Sequence, residues 1–225
     1  MKKTAAIILA GGQGSRFGMM KQLVPIYGKS VLMHTLEKFD GYDKILTIPE
    51  DCLDIVRNMV SCSGIKNLTI IFGGGTRQES AFKALESITY KGYEDKSYDN
   101  VIITDANRPL FPKELLKKCI AKLEDYHCVA TVCKSVNTTC VKVGDKYGVN
   151  SRENTYDLLM PQFFRFKDIY EAHNVTKVIN ATDDSQLLPR RCKVFLQEIS
   201  YWKGFKLTNP EDYKILETLM LEGEE

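Results

Sequence analysis

The sequence predicts an α/β protein with a mostly parallel central sheet and helices on both faces. Two observations carry this reading. Short apolar runs alternate with segments of helical period. The runs are nearly continuous rather than alternating, as strands covered on both faces are.

Each element follows in order. Residues 5–10 read as a buried strand. Lys2 and Lys3 ahead of it would suit a signal peptide, but the apolar stretch is short and runs into glycines, so a strand is expected. Residues 29–39 place Val31, Leu32, Thr35, Leu36 and Phe39 on one helical stripe. A strand over 44–49 and a helix over 51–60, with Leu53, Val56 and Val60 on its apolar face, come next. Residues 67–72 are strand-like. Ala81, Phe82, Leu85 and Ile88 mark a helix from Gln78. Residues 100–105 form an apolar strand ending in an acid, Asp105. A helix over 112–123 and a strand over 128–133 follow. Residues 134–160 are polar without a clean period, and so long an irregular stretch suggests a functional or interface element. A strand returns at 193–197. Asn209-Pro210-Glu211-Asp212 opens a last helix: a capping residue, proline at the first helical position, acids in the first turn. The chain, residues 1–225, reads as a single domain with an arm at approximately 134–160.

Composition narrows the function. The chain has 225 residues and 44% hydrophobic content, enough for a sizeable core. Its 31 basic and 29 acidic residues leave a formal charge of +2, with no long basic block, which argues against a nucleic-acid partner. No apolar run approaches the length of a membrane span, so no membrane partner is expected. The seven cysteines form no C-x-x-C pair and are odd in number. They read as reduced thiols of a cytoplasmic protein rather than a zinc site or disulfide frame.

The loop after the first strand, "LAGGQGSRFG" at 9–18, sits where open parallel sheets hold ligands. It fails the dinucleotide fingerprint, because Phe17 stands where G-x-G-x-x-G needs its third glycine. Gly28-Lys29-Ser30 fails the Walker pattern, with Leu23 at the first glycine position. What remains is a run of backbone N–H groups followed by Arg16 and Lys21. Glycines let the backbone approach phosphate oxygens closely, and two cations neutralise a polyphosphate. A plain glycine turn with two solvated cations is the alternative at this point.

Further motifs, in order, make a resemblance. "LAGGQGSRFGMMKQLVPIYGKSVLMHTLEKF", "GGGTRQES" (73–80), "TDANRPLF" (104–111), "MPQFF" (160–164), "ATDDSQLL" (181–188) and "FKLTNPED" (205–212) together resemble the cytidylyltransferases that make CDP-polyols. The methylerythritol phosphate and ribitol phosphate enzymes belong to that group. The resemblance spans nearly the whole chain. It implies a Rossmann-like nucleotidyltransferase fold with a protruding dimerisation arm, a homodimer, CTP as donor and Mg2+ as cofactor.

By that resemblance, Arg16 and Lys21 clamp the triphosphate and Lys206 holds the α-phosphate. Ala10, Gly11, Gly12, Gly14, Gly75 and Ser80 contribute to nucleotide binding. Asp105 binds a magnesium ion that bridges the phosphates, since an unpaired carboxylate at the end of a buried strand is otherwise costly; a helix cap or an ion pair with Arg108 is the alternative. Arg108 meets the acceptor's phosphate, with Thr139 and Arg152 reaching over from the partner's arm. The nucleophile is then a phosphate oxygen, already ionised because the second pKa of a phosphate monoester is about 6. No general base is required, so His34, His127 and His173 are expected to be ordinary packing or surface residues. Catalysis is expected to be positioning plus charge neutralisation.

Several positions depart from the family's pattern: Met20, Asn107, Thr138, Met160 and Lys203. Asn107, Thr138 and Met160 fall near the expected acceptor pocket. The expectation is therefore a cytidylyltransferase with a non-standard phosphorylated acceptor, of a kind used in surface-polysaccharide synthesis. The methylerythritol phosphate enzyme of isoprenoid synthesis, the ribitol phosphate enzyme and a non-catalytic nucleotide-binding regulator are the alternatives.

Overall fold

The structure is a computed structural model that describes residues 2–11, 20–90 and 98–222. In chain order the elements are β1 (Thr4–Leu9), β2 (Pro25–Ile26), β3 (Lys29–Ser30), α1 (Val31–Glu37), β4 (Asp43–Ile48), α2 (Leu53–Ser61), β5 (Leu68–Phe72) and α3 (Arg77–Tyr90). Then come β6 (Asn100–Asp105), α4 (Lys113–Lys122), β7 (Cys128–Lys134), β8 (Cys140–Val143), β9 (Lys146–Val149), β10 (Tyr156–Leu158), β11 (Gln162–Arg165), α5 (Phe166–Val175), β12 (Val194–Glu198) and α6 (Asp212–Glu222).

The central sheet runs β10-β7-β11-β6-β1-β4-β5, with β12 also paired to β7. β1 is parallel to both β4 and β6, β4 to β5, and β7 to β12. The parallel expectation thus holds for the strands joined by helical crossovers. β11 and β10 are the exceptions: β11 runs antiparallel between β6 and β7, and β10 antiparallel to β7. Four residues are too few to show a period, so "MPQFF" did not read as a strand. Its adjacent aromatics, Phe163 and Phe164, are fully buried in cores on opposite faces of the sheet.

Those two cores explain the continuous apolar strands. In β1, Ala6 and Ile8 join one core while Ala5, Ile7 and Leu9 join the other. This is the period-two pleat with both faces covered. Leu32 and Leu36 of α1, Val56 of α2 and Leu116 of α4 cover the first face. Ala81 and Leu85 of α3, with Ile169 and Ala172 of α5, cover the second. Ser30 caps α1 by accepting from the Met33 N–H at 3.3 Å, so the helix starts with its apolar stripe at Val31, two residues into the expected 29–39 segment. α6 is opened by Asp212, whose carboxylate accepts from the Thr208 and Asn209 N–H groups at 2.8 Å each.

The stretch 134–160 is more regular than its composition implies. β8 and β9 form a separate two-stranded hairpin whose residues are all exposed, and β10 returns to pair with β7. Of the cysteines, Cys52, Cys119, Cys128 and Cys133 are buried and none is bonded to another. No helix among the described residues is long and apolar enough to cross a membrane.

Candidate functional site

The parallel strands stop at one level. Leu9 stands in register with Asp105 across β1 and β6. Just beyond, Ala10 N–H donates to the Thr47 carbonyl, Ala106 N–H to that of Leu9, and Gly73 N–H to that of Ile48, each at 2.9 Å. α1 leaves β1 on one face while α3 leads into β6 on the other. The β1–β6 boundary is therefore a topological switch point, where the diverging loops leave a crevice. A cleft of about 420 Å³ opens there, within the range of a small-ligand site.

Two loops form one wall. Gly11 lies so close to α3 that a Cβ on it would sit 3.1 Å from the Ser80 hydroxyl. Gly74 turns against Glu79, where a Cβ would collide with that side chain. Glycine at both positions lets the loops after β1 and β5 approach the first turn of α3. Ser80 Oγ accepts from the Gly74 N–H and donates to the Thr76 carbonyl, both at 2.9 Å. The Glu79 carboxylate accepts from the Gly75 N–H at 2.7 Å. Ser80 is buried, so its hydroxyl shapes the loop that was expected to hold a nucleotide. Gln22 fastens the other side by donating to the Ala10 carbonyl at 2.8 Å.

Asp105 forms the floor. Its Oδ2 is 2.8 Å from Lys206 Nζ and 3.3 Å from Arg108 Nε, and its Oδ1 is 3.5 Å from Arg77 Nε. Burial by itself would raise this carboxyl's pKa. The Lys206, Arg77 and Arg108 cations outweigh burial and hold it far below the usual carboxylate range. The sequence-level reason for a metal here, an unpaired buried carboxylate, is thereby corrected: three cations already neutralise Asp105.

Arg77 has a second partner. Its Nη1 donates to Asp184 Oδ2 at 2.7 Å, and His173 Nε2 lies 3.2 Å from Asp184 Oδ1. Burial would raise the Asp184 pKa. The His173 hydrogen bond and the Arg77 charge bring it below its ordinary value. His173 also stacks on Phe82, with ring planes 4° apart. It is a packing residue, as expected, but one that supports the site from behind.

Lys21, Ala10, Gly11, Gly75, Ser80, Asp105 and Lys206 therefore come together around one cleft, from segments far apart in sequence. Arg108 joins them through Asp105. Gly12, Gly14 and Arg16 lie outside the described residues. Thr139 and Arg152 do not line this cleft. They flank the exposed hairpin, where the Asn150 N–H donates to the Thr139 carbonyl at 2.9 Å. The sequence motifs include the segments holding Arg77 and Asp184 but mark a role for neither. A signal was present: Arg77 opens α3, and a cation in the first turn of a helix opposes the helix dipole. Such a residue needs nearby anions, and the Asp183-Asp184 pair supplies one.

Comparison with known proteins gives a consistent result. Residues 4–222 match the family model described as IspD: 2-C-methyl-D-erythritol 4-phosphate cytidylyltransferase. The 2-C-methyl-D-erythritol 4-phosphate cytidylyltransferase of Aquifex aeolicus is 36% identical over 222 residues, covering 96% of both chains. A bifunctional IspD/IspF enzyme of Pelagibacter ubique is 35% identical over 192 residues. This chain spans about half of that relative, 49% of its length. The crystal structure of 4-diphosphocytidyl-2C-methyl-D-erythritol synthase from Anaerococcus prevotii superposes with a TM-score of 0.82 at 29% identity, covering 98% of this chain and 96% of that one.

Proposed function

The chain belongs to the 2-C-methyl-D-erythritol 4-phosphate cytidylyltransferase family, and from that premise we propose that it transfers a cytidylyl group from CTP to the phosphate of 2-C-methyl-D-erythritol 4-phosphate. A phosphate oxygen of the acceptor forms a bond to the α-phosphorus of CTP. The bond from that phosphorus to the bridging oxygen breaks, and pyrophosphate leaves with the electron pair.

The observation that carries this reading is the charge arrangement at the strand ends. Among the described residues that line the cleft, Lys21, Arg77 and Lys206 stand with one carboxylate, Asp105; with Arg108 beside it and Asp184 behind Arg77, four cations meet two carboxylates. Such a surplus suits a polyanion, and these fixed cations stabilise charge as it moves onto the leaving group. Lys206 holds the α-phosphate, and Lys21, with Arg16, holds the β- and γ-phosphates. The backbone at Ala10, Gly11 and Gly75 faces the nucleoside. Arg108 receives the acceptor phosphate, with Thr139 and Arg152 supplied by a partner's arm.

Asp105 is the residue that would hold Mg2+. Among the described residues no cluster of three acidic, histidine or cysteine side chains could hold a metal by itself. Asp105 already meets three cations, so it would hold magnesium by giving up part of that pairing, the ion keeping several waters and taking further ligands from substrate phosphates. When bound, the ion supplies charge neutralisation along the triphosphate.

The hairpin supports a homodimer. Val141, Val143, Tyr147 and Val149 are 53–74% exposed on it, and a two-stranded sheet alone in water is marginal. A second copy covering these side chains would both stabilise the hairpin and bring Arg152 towards the neighbour's cleft.

The acceptor reading returns to the departures. The Asn107 side chain is buried and donates to the Leu207 carbonyl, and Met160 is buried. Asn107 lines the cleft with its amide engaged by the chain itself, and Thr138, the third departure, is exposed beside the hairpin, so the acceptor proposed is the family's own. The test is pyrophosphate release with CTP, UTP, GTP and ATP against 2-C-methyl-D-erythritol 4-phosphate, ribitol 5-phosphate and other phosphorylated polyols. Turnover is expected with CTP and methylerythritol phosphate. Turnover confined to another polyol phosphate would restore the non-standard acceptor, and CTP binding without any turnover would favour the regulator.

A further inference from the structure

Lys206 lies on an extended segment outside the central sheet, so no ladder of backbone bonds holds it. Its surroundings do. Phe205 and Leu207 on either side are buried in a third core with Ile26, Val31 and Leu216. The Arg108 guanidinium donates to the Gly204 carbonyl. Asn107 grips the segment twice: its backbone carbonyl accepts from the Leu207 N–H at 3.0 Å, and its side-chain amide donates to the Leu207 carbonyl. One residue thus satisfies both backbone groups of the residue next to Lys206. Asn107 is only 5% exposed, so water is poorly placed to substitute for its amide.

We infer that Asn107 is a positioning residue: its side-chain amide fixes the backbone at Leu207 and so sets where the Lys206 ammonium meets Asp105 and the transferring phosphate. The inference rests on the proposed cytidylyl transfer for its kinetic consequence, and on the two bonds to Leu207 for its structural one. A displacement of about 1 Å at a catalytic group lowers rate on the order of 100-fold.

The experiment has two arms. In the kinetic arm, Asn107→Ala, Lys206→Met and the double variant are compared in turnover. Asn107→Ala is expected to lower kcat at least tenfold with the KM for CTP within threefold, and to have less than a twofold effect once Lys206 is already replaced. An equal loss in both backgrounds, as general destabilisation would give, overturns the inference. So does an unchanged kcat. Should Asn107→Ala not fold, Asn107→Asp, of the same shape but presenting only acceptors to the Leu207 carbonyl, takes its place. In the second arm, hydrogen exchange of the Leu207 amide is followed in unliganded protein. At least tenfold faster exchange in the variant is expected, and unchanged protection overturns the clamp. If the unmodified protein transfers no cytidylyl group, the functional reading fails while this second arm still decides the clamp.

Discussion

The Lys206 ammonium lies 2.8 Å from the Asp105 carboxylate although 101 positions separate them. Strand β6 delivers the carboxylate to the edge of the sheet, and the segment ahead of α6 brings the amine back over it. Arg108 and Arg77 complete a cluster in which one negative group orders three positive ones.

Replacing Asp105 by Asn keeps the shape of the side chain and removes the charge. The three cations then repel one another, and the carboxylate proposed to hold magnesium is lost. Turnover is expected to fall at least ~100-fold, the scale at which misplaced groups act. A magnesium titration of the rate checks it: an Asp105→Asn variant that retains the original magnesium dependence would remove Asp105 from the metal's ligands.

Arg77→Met leaves Asp184, whose side chain is 1% exposed, with His173 as its remaining partner. Losing a charged hydrogen bond costs about 1.5–3 kcal/mol, and urea unfolding should report a loss of that order. Arg77→Lys should recover only part of it. A single ammonium lacks the planar fork that reaches Asp184 and Asp105 together. Full recovery would mean that charge alone matters there.

Acid should destabilise the fold through the same groups. The Asp105 and Asp184 pKa values are lowered on folding, from an ordinary 3.8. The unfolded chain therefore binds protons first as pH falls. The stabilisation is fully present above pH 3.8 and is lost progressively below it, as pH drops towards the folded values. Unfolding free energy measured from about pH 7 downward should be flat and then decline. Asp184→Asn should decline less steeply, and an identical acid slope would exclude Asp184 as a contributor.

On the arm, Arg152→Ala is expected to raise the KM of the phosphorylated acceptor about tenfold or more while the KM for CTP changes little, consistent with the loss of a charged hydrogen bond. Steady-state kinetics with each substrate varied will show it. The reverse pattern would move Arg152 to the nucleotide.

Charging the hairpin addresses assembly. Val141→Glu with Val143→Glu should leave the central sheet folded, because both side chains are exposed in the protomer. Sedimentation should then show a monomer in place of a dimer. Dimers of unchanged affinity would place the interface elsewhere.

The alternation of elements was legible because β1, β4, β5, β6 and β7 each carry a nearly continuous apolar run and the crossover helices a clear stripe. β10, β11 and α5 were not legible. β11 is four residues long, and its placement between β6 and β7 depends on partners distant in sequence. Asp105, Lys21 and Lys206 stood out through their motifs, and the structure brings them to one cleft. Arg77 did not, since its role exists only once Asp184 approaches from 107 positions away.

By itself the sequence determined the alternating α/β architecture, the glycine loop that follows the first strand, and the resemblance that identifies the chemistry. Those are local properties: hydrophobic period, glycine spacing and ordered motifs. Tertiary structure alone decided how charge is balanced in the cleft and what Asn107 does. An ion pair or a clamp depends on distances of a few ångströms between segments remote in sequence, and only packing of the sheet and its two cores sets those distances.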